Sequence, residues 1–521
     1  MTSAPGGAGT GEAGTGRPGP PAGGGNAFGW RFTTPLFMGS ALNPINSSLI
    51  ATALVPIATA MHVSVGRTAV LVSALYLASS IAQPTAGKLA EEFGPRRVFI
   101  AGILVVLIGG LVGGVGQDLT TLIVARALIG VGTSAGYPSA MLLIRRRAEW
   151  AGLDKPPGGV LGGLQIAGTA TAALGLPLGG VLVGAWGWRT TFLINVPFAL
   201  IALLMAVFWI SRDVPAERPG TARDLAARID VIGIAGFGGA MTALLVFLLS
   251  LPRPEWAALG LAVVLAAALI GWELRASHPF IDVRLLASNG ALTRTYARWA
   301  LTALCVYTVL YGLTQWLEAG RGISSPEAGL LLLPMTAVSA VVLGPVSQRN
   351  LVRGPLIVAA VCLLAASAGV LFLATGTPII WIIVITLIFG ITLGTGASGN
   401  QTALYTQAST GQLGTASGLF RTFGYVGSIA SSAIISIAFH KSVTDHGLHD
   451  IAVVMIGASA VTLLLTLADR RLRTPARAAP RPEEPSALPP PEESSALLPE
   501  EPSAPLPEEP SAPSPEESDT Q

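Results

Sequence analysis

Apolar runs of about 20 residues, separated by short polar connectors, recur from residue 33 to residue 468 of this chain. An α-helix of about that length crosses a ~30 Å hydrocarbon core, because each residue advances it by 1.5 Å. Only 12% of the residues are charged and 51% are hydrophobic, whereas roughly a quarter of a soluble domain is charged. The pattern therefore predicts an all-α polytopic membrane protein.

Fourteen such spans are predicted, and two charged connectors, about 212–229 and 276–296, divide them into groups of six, two and six. We therefore predict a six-helix bundle at 33–212, a linker with two extra transmembrane helices at 213–296, and a second six-helix bundle at 297–470. The spans cover residues 33–60, 69–90, 97–116, 121–144, 158–185, 190–211, 230–251, 255–275, 297–318, 327–347, 355–375, 379–402, 413–439 and 448–468.

Both ends of the chain are low in apolar residues. Residues 1–32 are rich in Gly and Pro and lack the apolar core of a cleaved signal peptide, so the first span is expected to act as the insertion signal. Residues 471–521 repeat pairs of Glu among Pro, Ser and Ala, a composition that cannot bury a core. Both segments are predicted to be disordered, the tail serving as a spacer or, as the alternative, a partner-binding segment.

The positive charges fix the predicted orientation. The loops on the side of the N-terminus hold 17 Lys and Arg residues and the opposite loops hold five. Because cytoplasmic loops carry the excess of these residues, both termini are expected in the cytoplasm of a cell whose plasma membrane the chain spans.

Four motifs stand at the ends of particular spans. "GKLAEEFGPRR", residues 87–97, joins spans 2 and 3, and "RALIGVG", 126–132, lies in span 4. "GLPLGGVLVGAWGWRTTFLINVP", 175–197, runs through span 5 into span 6, and "GISSPEAGLLLLP", 322–334, begins span 10. Together they resemble the major facilitator superfamily, specifically its fourteen-span drug/proton antiporter branch, over residues 33–470. The resemblance implies that fold and the export of drugs, antibiotics or other secondary metabolites.

Two of these motifs imply structural roles. The loop between spans 2 and 3 would form a conformational latch at Gly87, Glu91, Gly94, Arg96 and Arg97. The family's aspartate is Glu91 in this sequence. The alternative is that the basic residues only flank the spans on the cytoplasmic side, as the positive-inside rule predicts. Span 5 would use small residues to let a neighbouring helix pack closely. Those residues are Gly175, Pro177, Gly179 and Gly180, with Leu176 inserted into the family's Gly-Pro pair.

The ionisable residues inside the spans are the candidates for the substrate and proton path. Arg126 in span 4 matches the family's arginine at the central cavity, and we expect it to line that cavity. The alternative is that it only hydrogen-bonds carbonyls of a broken neighbouring helix. Arg421 in span 13 is a weaker candidate, since it could instead reach the interface.

Span 1 departs from the family, because Asn43 stands where relatives carry an aspartate. Asn43 and Asn46 can hydrogen-bond a substrate, but neither can carry a proton. No acid lies in the middle third of a span, so the candidates for proton exchange are Asp118 and Glu318, with Asp230 third. "HKSVTDHGLHD", 440–450, could bind a metal or sense pH, but is better explained as a solvated loop.

The sequence therefore predicts a monomeric secondary active exporter of neutral or anionic small organic molecules, with protons as the coupling ion. No phosphate-binding Gly-x-x-x-x-Gly-Lys loop, metal site or catalytic cluster is visible, so we expect no ATP use, no cofactor, no nucleic-acid partner and no enzyme activity. Cys305 and Cys362 both lie in apolar runs and suggest no disulfide. Importers or uncoupled facilitators remain the alternative, and a polytopic enzyme or receptor is a more distant one.

Overall fold

The computed structural model describes residues 27–153, 157–213, 222–250, 253–277, 279–348, 351–408, 413–469 and 472. These residues form helices and their connectors, and none of them lies in a β-strand. The prediction of an all-α protein is confirmed for the described part of the chain. The two segments predicted to be disordered lie almost wholly outside it.

Long helices lie at each of the predicted spans, and we number them α1 to α14. Twelve helices of the described residues are long and apolar enough to cross a membrane, while α5 and α13 are not among those twelve, so the count of fourteen spans stays a prediction. The bounds are Trp30–Ala60, Val65–Phe93, Pro95–Val115, Leu119–Trp150, Gly158–Trp186, Thr190–Trp209, Val231–Ser250, Trp256–Glu273, Gly290–Gly320, Ser325–Gln348, Arg353–Leu371, Ile379–Gln407, Leu413–Ala438 and Asp445–Ala468.

Two of these helices change their hydrogen-bonding pattern in the membrane. α1 passes into a 3-10 turn at Ile50–Ala53, and α9 contains π turns at Val309–Leu313 and Trp316–Gly320. Such interruptions leave backbone carbonyls available for side chains of neighbouring helices and are frequent at functional sites.

The same neighbour pairs occur among α1–α6 and again among α9–α14. In the first set α1 packs on α5, α2 and α3 each pack on α4, and α3 packs on α6. In the second set α9 packs on α13, α10 and α11 each pack on α12, and α11 packs on α14. The two sets, called the first and second half below, meet where α2 contacts α13 and where α5 contacts α10.

Helices α7 and α8 pack on each other, and α7 also contacts α2 and α13. Most side chains of α8 are exposed, as expected of a helix that faces lipid on most sides. The pair is therefore outside the two halves, along the line where α2 and α13 meet.

Asp230 fixes the beginning of α7. The backbone of Asp230 has a positive φ of 61°. Its carboxylate accepts hydrogen bonds from the amides of Gly233 at 3.0 Å and Phe280 at 2.8 Å and from the indole of Trp272 at 2.8 Å. Lys88 of α2 donates to the carbonyl of Ile229 next to it, at 3.3 Å. These contacts hold the extra pair to the first half.

Candidate functional site

A cavity of about 340 Å³ lies between the two halves. Its walls come from α1, α2, α4 and α5 of the first half and from α9, α10, α12 and α13 of the second. Pockets that hold small organic ligands have volumes of roughly 300–1,000 Å³, so the cavity is large enough for one such molecule. None of its lining residues comes from α7 or α8.

Polar groups line the first-half side of the cavity. Asn43 of α1 donates from its amide to the hydroxyls of Ser79 at 3.2 Å and Thr133 at 3.0 Å, which fixes its position between α2 and α4. Ser47 and Ser48 donate to the carbonyl of Pro44, at 2.7 and 3.0 Å. Asn43 is thus placed where a bound molecule can reach it, as its predicted role requires.

Aromatic side chains dominate the second-half side. Trp299 of α9 and Phe420 of α13 stack with their ring centres 4.9 Å apart and an angle of 16° between the planes. Tyr307 of α9 and Tyr425 of α13 also line the cavity, with Tyr137 of α4 on the opposite wall. Large rigid rings of this kind supply contact area for an apolar or aromatic ligand.

Of the described residues that line the cavity, Arg421 is the one that carries a permanent charge. Its guanidinium carbon lies 3.9 Å from the ring centre of Tyr137, a cation–π contact between α13 and α4. Among the described residues no carboxylate pairs with it. Its place in the cavity wall puts Arg421 within reach of a bound molecule.

The halves are joined mainly on one side of the cavity. We call the end of the bundle where α1 begins the near end, and the end where α1 finishes the far end. From the cavity toward the far end, the hydroxyl of Tyr76 bonds to that of Tyr311 at 2.9 Å, Tyr311 donates to the carbonyl of Ser47 at 2.7 Å, and the hydroxyls of Ser73 and Ser432 are in contact. These bonds close the cavity toward the far end.

Glycines of α5 bring the halves together at the same end. A Cβ at Gly180 would lie 2.6 Å from the carbonyl oxygen of Ser325, the first residue of α10. Gly175 and Gly179 face α1 instead, where a Cβ would lie 2.5 Å from Ser48 and 2.6 Å from the carbonyl oxygen of Leu49. Pro177, the remaining residue of the predicted packing motif, lies inside α5 between them.

Arg126 does not line the cavity, contrary to the expectation from the sequence. It is only 2% exposed and lies behind α1, with Nε donating to the carbonyl of Leu71 at 3.2 Å and Nη1 to the carbonyl of Asn46 at 3.1 Å. Asn46 lies in the last α-helical turn of α1 before the 3-10 turn at Ile50–Ala53. Nη2 is buried without a hydrogen-bond partner among the described residues.

Asn46 is also behind the cavity wall. Its side-chain amide and that of Asn195 in α6 exchange hydrogen bonds of 2.6 and 2.9 Å, and both residues are buried. The pair satisfies two amides in the apolar interior and holds α1 against α6. A substrate in the cavity therefore does not reach the Asn46 amide.

Neither Asp118 nor Glu318 lines the cavity. Asp118 caps α4 by accepting from the amide of Thr121 at 2.9 Å and from its hydroxyl at 2.8 Å. These bonds lower the pKa of the Asp118 carboxyl, which is fully exposed. Glu318 is 8% exposed in the second π turn of α9, close to Ser325 at the seam with α5. Asp230, with three donors on its carboxylate, acts as an anchor.

The loop between α2 and α3 binds Asp213, a residue outside the predicted motif. Gly94 has a φ of 95°, which suits glycine, and the carboxylate of Asp213 accepts from the amides of Arg96 at 3.2 Å and Arg97 at 3.0 Å. Arg96 also donates to the carbonyl of Val207 in α6, at 2.9 Å.

The acids of this loop do not pair with its arginines in the described residues. Glu92 instead pairs with Arg228, in the helix Ala222–Ile229, at 3.2 Å, and Gly87 faces Pro138 of α4. Glu91 lies with Lys88 and Glu92 around a surface hollow. The contacts of this loop thus go to Asp213 and Arg228, which the motif alone does not indicate.

Sequence reasoning missed the aromatic wall and its partner Gln83. The usable signal was helical spacing: Trp299 and Tyr307 are eight residues apart on α9, and Phe420, Gly424 and Ser428 recur at intervals of four on α13. In an apolar span that spacing does not tell a cavity face from a packed face.

Helices of this number and length around a central cavity define a class of multi-pass membrane proteins that move small molecules. The profile of the Major Facilitator Superfamily matches residues 36–432, and the chain belongs to that family. A solved structure with a similar fold is that of the nucleoside transporter NupG, with a TM-score of 0.59 at 12% identity, covering 84% of this chain and 99% of that one. The human organic anion transporter MFSD10 gives a TM-score of 0.53 at 15% identity, with the same coverage. At these identities the two structures show the fold alone.

Relatives with closer sequences are named as an MFS-type transporter, a resistance and export protein, and a multidrug resistance protein. An uncharacterized MFS-type transporter of Bacillus subtilis, YwoD, is 32% identical over 440 residues, which is 84% of this chain and 96% of the relative. The tetracenomycin C resistance and export protein of Streptomyces glaucescens is 28% identical over 435 residues, covering 80% and 77% of the two chains. A multidrug resistance protein of Mycobacterium tuberculosis, Stp, is 28% identical over 293 residues, covering 54% and 51%.

Proposed function

We propose that this protein is a secondary active exporter of neutral or anionic small organic molecules, located in the plasma membrane with both termini in the cytoplasm. In this proposal the halves rock against each other around the central cavity, and α7 and α8 stay outside as an extra pair. The repeated neighbour pairs of α1–α6 and α9–α14 support the six-two-six division. The names of the relatives, among them a resistance and export protein, support export.

The observation that carries the proposal is a cavity walled by both halves and closed on one side by contacts between them. Alternating access needs such a seam, because the same site must open to each side in turn. The near end holds the basic loops, which indicate the cytoplasmic side, and in this proposal the described conformation is the one that faces the cytoplasm.

The proposal includes protons as the ion that drives export. Asn43 cannot exchange a proton, and Asp118 serves as a helix cap. The residue best placed to couple is Glu318, a buried carboxyl beside the seam between α9, α10 and α5. A buried carboxyl is more easily tolerated when protonated, so closing and opening the seam would shift its proton affinity.

Import or uncoupled facilitation is the second candidate function, and one observation favours it. In the first span, Asn43 stands where the family resemblance implies an acid. Its amide donates hydrogen bonds to Ser79 and Thr133, so the three side chains form a neutral network. A neutral network of this kind binds a substrate without needing a proton. The direction and the coupling therefore have to be measured.

The seam gives a direct experiment. Ser73 and Ser432 are in hydroxyl contact across the halves, so cysteines at both positions, with Cys305→Ala and Cys362→Ala, should form a disulfide on oxidation. The cross-linked protein should stop exporting a fluorescent test compound from cells and recover when reduced. The two single-cysteine variants are the matched controls.

Continued transport by the cross-linked protein would contradict alternating access at this seam. Reconstituted protein then separates the coupling modes: export that follows an imposed pH gradient supports antiport, and export indifferent to it leaves a facilitator. Expression that raises cellular accumulation of every test compound would overturn export in favour of import.

A further inference from the structure

Arg421 is the starting point, because its charge has no anion among the described residues. It is half-buried in the cavity wall, with Tyr137 against the face of its guanidinium. Tyr425, one turn further along α13, interacts with it as well, and the hydroxyl of Tyr425 donates to Gln83 of α2. A guanidinium carries five N–H donors, and stacking uses its face and leaves most of these donors on its edge available.

The other lining groups offer few donors. Most hydroxyl groups of the wall donate inside the protein, mainly to backbone carbonyls of their own helices. They belong to Ser47, Ser48, Thr133, Ser134, Thr302, Thr336 and Ser428. Their oxygens remain acceptors, but a ligand that needs strong donors finds them chiefly at Arg421.

The wall next to Arg421 is flat and aromatic. Phe420 precedes it in sequence and stacks on Trp299. Gly424 leaves room for the Trp299 ring: a Cβ there would lie 3.2 Å from its Cδ1 and closer still to its Nε1. The indole is therefore held between Gly424 and Phe420, in a fixed position on the cavity wall.

We propose that the cavity selects aromatic organic anions, with Arg421 binding the anionic group and the Trp299–Phe420 stack receiving the ring. This inference rests on the proposed transport function for its meaning but concerns binding alone. A carboxylate accepts two parallel hydrogen bonds from a guanidinium, and such charge-assisted bonds are about twice as strong as neutral ones. The neutral amide of the same molecule cannot form that pair.

Two matched probes test the selection in purified full-length protein. We would measure dissociation constants of 1-pyrenebutyrate and 1-pyrenebutyramide by energy transfer from tryptophan. The wild-type protein should bind the acid at least about tenfold more tightly than the amide, which corresponds to about 1.4 kcal/mol. Arg421→Met should bring that ratio to about one by weakening the acid, with little change for the amide.

Three further variants keep the result interpretable. Arg421→Lys retains the charge without the paired donors, so it should restore only part of the preference. Trp299→Leu should weaken both probes, because it removes the aromatic wall and keeps the arginine. Arg253→Met removes one exposed cation from the connector between α7 and α8 and should leave the ratio unchanged.

An unchanged acid-to-amide ratio in folded Arg421→Met would overturn the proposal, as would equal binding of both probes, or of neither, by the wild type. Loss of the ratio in Arg253→Met would show a general charge effect and overturn it too. The outcome is separate from that of the transport assays: selective binding without any transport would end the exporter proposal and leave this one standing. Transport by a protein whose acid-to-amide binding ratio does not depend on Arg421 would end this proposal and leave the exporter proposal standing.

Discussion

Among the residues that the structure describes, two arginines are almost fully buried, and their surroundings are opposite. Arg298, at the near end of α9, is 1% exposed and donates to the carboxylate of Asp469 at 3.0 Å and to Thr295 at 2.7 Å. Arg126, in α4, is 2% exposed and donates to the carbonyls of Leu71 and Asn46. Within the described part of the chain, one buried cation has a carboxylate partner and the other has none.

The difference indicates different roles. Asp469 also binds Arg294, at 3.0 Å, so the end of α14 is joined to the beginning of α9 by a group of opposite charges. Such a group holds two helices together. Around Arg126 the neighbouring ionisable groups are the phenols of Tyr76 and Tyr311, which also join the two halves. A cation placed there without an anion is an expensive feature in a membrane, and we propose that transport requires it.

The carbonyls that Arg126 and Tyr311 use are consecutive. Arg126 of the first half donates to Asn46, and Tyr311 of the second half donates to Ser47. Both carbonyls lie on α1 immediately before its 3-10 turn. This segment of α1 therefore accepts hydrogen bonds from side chains of both halves. A change in either contact would act on the same short stretch of backbone.

The largest expected effect concerns transport by Arg126→Met. We expect the export rate to fall at least about a hundredfold, because the buried carbonyls of Leu71 and Asn46 lose their donor and the cation beside Tyr76 and Tyr311 is removed. The variant should stay folded, since no buried anion is left without a partner. Export assays and thermal unfolding in detergent check this; normal export would leave Arg126 as no more than a partner of the broken helix.

Arg298→Met should show the reverse pattern. Removing it takes a buried partner from Asp469, and breaking a buried pair in this way costs about 3–5 kcal/mol. We expect a clear loss of thermal stability in detergent and a loss of export only in proportion to unfolded protein. A variant as stable as the wild type would mean that Arg294 alone neutralises Asp469.

A double variant sharpens the interpretation of that loss. Arg298→Met with Asp469→Leu removes both charges, and an apolar replacement of a buried ion pair is often neutral or stabilising. The double variant should therefore regain most of the stability lost by Arg298→Met. Thermal unfolding of the two variants side by side is the measurement, and equal melting temperatures would contradict the pairing argument.

A smaller effect is expected from pH. Burial by itself would raise the pKa of Asp469, but its hydrogen bonds and ion pairs with Arg294 and Arg298 lower it below the usual value. The stability it contributes is thus present above the pKa of an unfolded Asp, about 3.9, and is lost as the pH falls through the lower folded value. Below about pH 4, the difference in melting temperature between wild type and Asp469→Asn should shrink; a constant difference would contradict the lowered pKa.

The smallest effect is expected from Arg294→Met. Its side chain is 38% exposed, and ion pairs of exposed groups contribute about 0–1 kcal/mol. The melting temperature should change little, which makes this variant the matched control for Arg298→Met. A loss as large as that of Arg298→Met would assign the anchoring to the exposed arginine instead.

Much of the fold was predictable because it depends on local sequence. The helices lie at the predicted spans, and the motifs around Gly94, Arg126 and Trp188 lead to the family that the profile match shows. The candidate site was only partly predictable. Asn43 and Arg421 line the cavity, whereas Asn46, Glu318, Asp118 and Arg126 do not. A residue's place along a span gives its depth, but its angular position is decided by which neighbours pack against it.

The sequence by itself determined that this chain crosses a membrane many times and which superfamily it belongs to, since hydropathy and short motifs are properties of neighbouring residues. Only the tertiary structure decided which charges are neutralised. Arg298 and Asp469 are 171 positions apart, and the carbonyl bound by Arg126 is 80 positions away. Contacts over such separations follow from helix packing, and that packing gives one buried arginine an anion and leaves the other with carbonyls alone.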